Sequence, residues 1–245
     1  MEKEVKEKTM YQKAPQITGN LRRHMIELPT AIRDATGIVI FGKRLKSFVF
    51  TTDVAVIRNT NADAIIAVYP FTPQPIITEA LVLAADVPVF CGVGGGITTG
   101  KRVTNLALDA EFKGAMGIVV NSPISNEVIT QVRETIDIPI IVTVVSEFED
   151  IEARIRAGAT IINVSGAKKT AYIVSKIREK HPNFPIIATG GPNNETIRET
   201  IRAGANAITY TPPIVADILN EIMIKYRTIY KTEDNENNEN NENNI

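Results

Sequence analysis

The chain has 245 residues, 44% of them hydrophobic, with a formal net charge of -1 and a pI near 6.2. That size accommodates one α/β barrel or two smaller domains, and the balanced charge excludes a broad basic surface for nucleic acid or an anionic membrane. Cys91 is the sole cysteine and His24 and His181 the only histidines. The first excludes an internal disulfide and leads us to expect a reducing, cytoplasmic setting; the second disfavours zinc hydrolysis or a Ser-His-Asp triad, both of which need imidazole.

In chain order, the N-terminal MEKEVKEKTMYQK lacks the apolar stretch of a signal peptide, and no run of about 18 apolar residues appears anywhere, so no membrane partner is expected. Residues 1–19 read as an extension. An amphipathic helix is expected around 21–35, then an extra strand, GIVIFG, at 37–42, both placed under the N-terminal end of the main sheet. From Ser47 onward short β-branched runs alternate with amphipathic segments, the pattern of βαβ units on a parallel sheet. Strands are expected at 47–51, 64–69, 87–92, 117–121, 139–145, 160–165, 185–189 and 207–211. Eight parallel strands point to closure, so the fold class is α/β, a single (β/α)8 TIM barrel over 20–230. The tail at 231–245, rich in Asn and Glu with nothing apolar to bury, is expected to be disordered.

An internal repeat supports the count. IVTVVSEFEDIEARIRAGATII from Ile141 resembles IATGGPNNETIRETIRAGANAI from Ile187 at an offset of 46 residues, 187 minus 141. The same offset pairs Asn163 with Thr209, Ser165 with Thr211 and Thr143 with Thr189, so each pair should face the same way in its strand.

Reactive groups in such a barrel sit where strands end. Asp53, after the first strand, suits a general base or a hydroxyl-binding carboxylate, or equally the cap of the short helix next to it. Glu147 faces the same choice, with Ser146 as the expected helix cap and Glu149 in the capping-box position. The stretch GVGGGITTGKR from Gly92 lets the N–H groups of Gly94, Gly95 and Gly96 approach an anion, with Lys101 adding charge, although its order is not that of a P-loop. Lys168 and Lys169 stand at a helix start, where the macrodipole disfavours cations unless an anion is present. Asn121, Asn163, Thr189, Thr209 and Thr211 are candidate ligand contacts or hydrogen-bonded core. Tyr69 opens a proline-stiffened loop beside the mouth, and Cys91 reads as a small buried hydrophobe sooner than a nucleophile.

The seventh and eighth units, PIIATGGPNNETIRETIRAGANAITYTPP, resemble the phosphate-binding half of the ribulose-phosphate-binding type of (β/α)8 barrel, which includes sugar-phosphate epimerases, indole glycerol-phosphate synthases and thiamin-phosphate synthases. The chain also resembles small bacterial barrels that carry the label hydrolase. The first resemblance implies that Gly190 and Gly191 offer N–H groups to a phosphate. The next loop departs from the pattern, because Pro212 and Pro213 have no N–H to give.

Two functions of different kinds are expected. One is an isomerase, lyase or hydrolase acting on a small phosphorylated or anionic metabolite, with Asp53, Lys101 and Asn163 catalytic and Gly190, Gly191 and Lys168 holding the anion. The other is a non-catalytic, ligand-sensing barrel. Nothing in the sequence calls for a metal or cofactor, and a homodimer is expected because barrels often pair.

Overall fold

The computed structural model describes residues 15–17, 19–20 and 25–242, with side chains described through residue 228. Two short strands, β1 (Ile38–Ile40) and β2 (Lys43–Leu45), form an antiparallel hairpin. Eight further strands close into a parallel ring: β3 (Ser47–Phe50), β4 (Ala64–Ala67), β5 (Val89–Gly94), β6 (Gly117–Val120), β7 (Ile140–Val144), β8 (Ile161–Val164), β9 (Ile186–Thr189) and β10 (Ala207–Tyr210). Last pairs with first, Thr209 standing opposite Phe48. Helices α1 (Val54–Arg58), α2 (Pro75–Ala84), α3 (Lys101–Phe112), α4 (Asn126–Thr135), α5 (Ile151–Ala157), α6 (Thr170–Lys180), α7 (Asn194–Arg202) and α8 (Val215–Glu242) come after the strands in turn. The (β/α)8 barrel is therefore present, and every expected barrel strand is found within two residues of its expected ends.

Alternation along the strands divides the apolar residues between two cores. Phe48, Ile66, Phe90, Val119, Ile141 and Ile187 fill the lumen. Val49, Ile65, Cys91, Ile118, Val142 and Ile208 face outward, under the helices. The hairpin closes the bottom: buried Ile38, Ile40 and Leu45 pack on the lumen cluster, placing this strand region beneath the barrel as expected.

The expected helix at 21–35 is corrected. Residues 21–24 lie outside those described, Ile26 forms a parallel bridge with Thr60, and only a 3-10 turn, Thr30–Asp34, comes after it. Pro29 is the reason, since a proline in mid-helix removes a hydrogen bond and clashes with the preceding turn; its ψ of 130° is extended. The segment does stay at the bottom, where Lys46 Nζ donates to Arg33 O and Leu28 N to Asn61 Oδ1, just ahead of β3 and β4. Ala31, Ile32 and Ala35 are buried beside α7, where Ala31 N donates to Asn194 Oδ1 and Arg198 pairs with Asp34 at 3.3 Å. The backbone of α8 is helical to Glu242, while its side chains from 229 onward, and residues 243–245, lie outside those described; the expected disorder of the tail falls there.

The repeat has a physical cause. Gly158 and Gly204, 46 residues apart, both end helices at positive φ, 119° and 114°. An arginine stem lies over each, and an added Cβ would meet Arg133 at 2.7 Å in one case and Arg178 at 2.9 Å in the other. Arg178 then ties together the turn into β9 and the start of β10, donating to the carbonyls of His181, Pro182, Phe184 and Gly204 and to Asn206 Oδ1. We expect Arg178→Ala to lower the unfolding free energy by about 2–3 kcal/mol, because several charge-assisted bonds vanish together. Urea denaturation would measure it, and a change under 0.5 kcal/mol, roughly that of an ordinary surface substitution, would count against the clamp.

Candidate active site at the mouth of the barrel

Continuing the inward alternation past the lumen core brings a second set of residues to the open, C-terminal end of the strands. They enclose a cavity of about 440 Å3. Its two sides differ chemically. Phe50, Ile66, Val68, Val119, Tyr69 and Pro70 form an apolar wall; Thr143, Asn163, Ser165, Thr189, Thr209 and Thr211, from β7 to just beyond β10, form a polar one, joined by Asn121 at the end of β6. The structure thus brings together five of the expected ligand residues: Asn121, Asn163, Thr189, Thr209 and Thr211. The pairs related by the 46-residue offset do face the same way.

Among the described residues, no carboxylate, ammonium, guanidinium or imidazole lines this cavity, and Tyr69 is the one ionisable side chain in its lining. The Tyr69 hydroxyl accepts from Gln74 N at 2.9 Å, which anchors the proline loop. Asn163 Nδ2 lies a long 3.4 Å from Thr143 Oγ1, and Thr189 Oγ1 lies 3.5 Å from Ser165 Oγ. Asn163 and Thr209 are only 8% and 5% exposed, yet Asn163 Oδ1 and Thr209 Oγ1 are buried without a hydrogen-bond partner. Reversing the amide would let Thr143 donate to its oxygen and would leave the nitrogen unmet instead, so one end of Asn163 is unpaired in either orientation. Each unmet group costs roughly 1–3 kcal/mol, a penalty that a native fold rarely carries without reason.

The charged candidates stand elsewhere. Asp53 caps α1, its carboxylate accepting from Ala55 N and Val56 N. It also edges a side cavity of about 280 Å3 that shares Phe50, Val68, Tyr69, Pro70 and Thr211 with the mouth. Lys101 is the exposed first residue of α3, and Lys168 is exposed in the 3-10 turn before α6; neither lines the mouth. Glu147 is taken by Lys169, and that ion pair raises the lysine pKa. Ser146 does not cap α5. Asp150 does, accepting from Ala153 N, while Glu149 reaches across to the preceding loop and accepts from Ser122 Oγ and Val145 N. Arg154 completes that tie through the carbonyls of Ser122 and Ile124 and holds the loop beyond Asn121 in place. Sequence spacing could not reveal this, since the partners lie some 30 residues apart.

Of the glycines expected to cradle an anion, Gly94, Gly95, Gly190 and Gly191 have structural duties, and Gly96 does not. Gly190 N donates to Thr209 O at 3.3 Å, and an added Cβ would meet Ile208 at 2.6 Å and Ile197 at 2.8 Å, so this glycine admits α7 close to the sheet and its N–H is already engaged. Gly191, at φ 82°, turns the chain toward α7, whose first turn is closed by the Asn193–Thr196 capping box. Gly94 accepts from Asn121 N, Gly95 N donates to Thr98 O, and a Cβ on Gly95 would stand 2.6 Å from the backbone of Asn121. Gly96 has open space around it and borders a small hollow of about 190 Å3 with Tyr69, Phe71 and Asn121.

Cys91 faces the helices, and burial pushes its thiol up to about 12. Among the described residues, no group of three or more His, Cys, Asp or Glu side chains is placed to hold a metal ion, and the neutral donors of the mouth do not fit one. A larger hollow of about 580 Å3 runs down the outer flank between α5 and α6, from the loop just after β7, Ser146 to Glu149, to His181 at the end of α6.

No protein-family model matches the chain, nor does any curated protein. Solved structures match its fold. Phosphoenolpyruvate phosphomutase from Streptomyces platensis subsp. rosaceus aligns with a TM-score of 0.60 at 14% identity, over 83% of this chain and 86% of that one. A 2,3-dimethylmalate lyase, described as a member of the PEP mutase/isocitrate lyase superfamily, gives 0.59 at 12% identity over 86% of each. Thiamine phosphate pyrophosphorylase from Pyrococcus furiosus gives 0.52 at 20% identity, over 67% of this chain and 84% of that one. At such identities the likeness establishes the (β/α)8 fold. It singles out neither the ribulose-phosphate-binding group nor the hydrolase label.

Two measurements check this geometry. Gly95→Ala should destabilise the protein by about 2 kcal/mol or more, through both positive φ and backbone collision, whereas Gly96→Ala should change stability by less than about 0.5 kcal/mol; equal effects would contradict the assigned roles. Native Cys91 should resist iodoacetamide at pH 8, where roughly one thiol in ten thousand is ionised at that pKa, and should react once the chain is unfolded in urea.

Proposed function

We propose that the protein is an enzyme of the isomerase, lyase or hydrolase kind that acts on a small anionic, phosphorylated metabolite at the mouth of the barrel. The observation that carries the reading is the 440 Å3 cavity at the strand ends with two buried polar atoms left unmatched, Asn163 Oδ1 and Thr209 Oγ1. An enzyme site keeps such groups for its ligand, whereas a barrel built only for stability fills these layers with apolar side chains. The names of the similar folds, a phosphomutase and a thiamine phosphate pyrophosphorylase, are in keeping with a phosphorus-bearing substrate. Lys101, at the start of α3, and Lys168, in the turn before α6, stand at the same end and attract the anion from the rim; Asp53 is the acid/base candidate, from the side cavity.

A second reading, a ligand-sensing barrel without turnover, is favoured by one feature: among the described residues, the lining of the mouth contains no carboxylate and no imidazole. Asp53 decides between the two. Phosphorylated metabolites should raise the melting temperature of the wild-type protein, since a ligand that binds only the native state stabilises it. Turnover of a stabilising compound should fall at least about a hundredfold in Asp53→Asn, the lower end of the range for loss of a general acid/base, with the melting shift retained. Binding without turnover in the wild type would establish the sensor, and a panel that leaves the melting temperature unchanged would remove the anionic-metabolite reading.

A further inference from the structure

The two walls of the mouth restrict what it can hold beyond a general preference for small molecules. Its floor belongs to a single layer of the barrel, in which the inward residues of β4 and β6 are Ile66 and Val119 and those of β8 and β10 are Asn163 and Thr209. Half of that layer is hydrocarbon and half is unpaired amide and hydroxyl. Phe50 and Val68 extend the apolar half upward, and Thr189, Ser165 and Thr211 extend the polar half. The division runs along the barrel axis, so a bound molecule meets carbon on one edge and hydrogen-bonding groups on the other.

Charge is excluded from the floor. A phosphate or carboxylate pushed down to Ile66 and Val119 would lose its hydration and find no cation in the lining. The groups that are unmet there call for something else. Thr209 Oγ1 can donate or accept, and Asn163 presents an acceptor, or a donor if its amide is reversed. A hydroxyl satisfies all of these cases because it does both at once; an ammonium or an ether satisfies only some of them.

Building on the reading of the mouth as the ligand site, we infer that its substrate is two-edged: a neutral, hydroxyl-bearing carbon chain whose hydroxyl edge lies on Asn163 and Thr209 and whose carbon edge lies on Phe50, Ile66 and Val68, with any anionic group held at the rim. The barrel reads the hydroxyls at the floor, and the charge only at the entrance. The orphaned polar atoms are specificity determinants retained at a cost to the stability of the empty protein.

The test uses the full chain and two probes of equal length, erythritol 4-phosphate and n-butyl phosphate, with inorganic phosphate as the reference. In the wild type, erythritol 4-phosphate should raise the melting temperature more than n-butyl phosphate does, and the difference should disappear in Thr209→Val and in Asn163→Leu. Without any probe, Thr209→Val should melt about 2 °C or more above wild type, because an unmet polar atom has been replaced by a methyl group of the same shape. Equal shifts from the two probes in the wild type would overturn the floor assignment while leaving an anionic ligand in the mouth. If no phosphorylated probe acts, the anionic reading fails, and the melting point of Thr209→Val still judges the floor on its own: a fall shows that the hydroxyl is a bonded structural group, and the inference is then wrong.

Discussion

Closing eight strands into a ring leaves no edge and no freedom of register. Because β10 pairs with β3 as well as β9, a slip of one residue anywhere would send every inward side chain of that strand to the outside. The lumen is also too narrow for anything but side chains. Phe48, Phe90, Ile141 and Ile187 pack it, and the hairpin stops it from below, so the open end is the one place where inward positions need not be apolar. The candidate site is a direct consequence of that restriction.

The surrounding structure works to keep the open end in shape. Glu149 and Arg154 tie the loops after β6 and β7 to each other. The Tyr69 hydroxyl fixes its own loop through Gln74, and Gly95 brings the chain after β5 against Asn121. At the opposite end Arg178 gathers carbonyls from the turn into β9 and the start of β10, while residues 30–36 lie along α7. Rigid elements at both ends are what a binding site needs if its first contacts are to be held in place before the ligand arrives.

Electrostatically the mouth is neutral along its described lining. Its cations stand on the rim, and the ionic groups nearest by sequence are consumed by structure: Glu147 by Lys169, Asp53 by the N-terminus of α1. Under the proposed function, attraction from Lys101 and Lys168 is long-ranged and screened by salt, and discrimination falls to hydrogen bonds made at short range. The two unmet buried polar atoms of the mouth, Asn163 Oδ1 and Thr209 Oγ1, destabilise the protein by roughly 1–3 kcal/mol each, the kind of local frustration that function leaves in a fold.

By itself the sequence determined the barrel. β-Branched runs at regular spacing, Ala-Gly-Ala before two strands and a 46-residue echo each report a local preference that the fold satisfies, and local preferences are visible in a one-dimensional pattern. It also determined which residues reach the strand ends, since alternation extends from the core; Asn163 and Thr209 were legible for that reason. Tertiary structure decided the rest. Whether Asp53, Lys101 and Gly190 face a ligand or serve a helix cap, a rim or a close helix approach depends on partners far along the chain. The amphipathic pattern near 21–35 suggests a helix, but Pro29 interrupts it and the backbone of Ile26 pairs instead with the chain at residues 59–61. Above all, the split of the mouth into a carbon wall and a hydroxyl wall exists only once the ring closes, because closure sets Ile66 of β4 across from Asn163 of β8 and Val119 of β6 across from Thr209 of β10, strands that no local pattern connects.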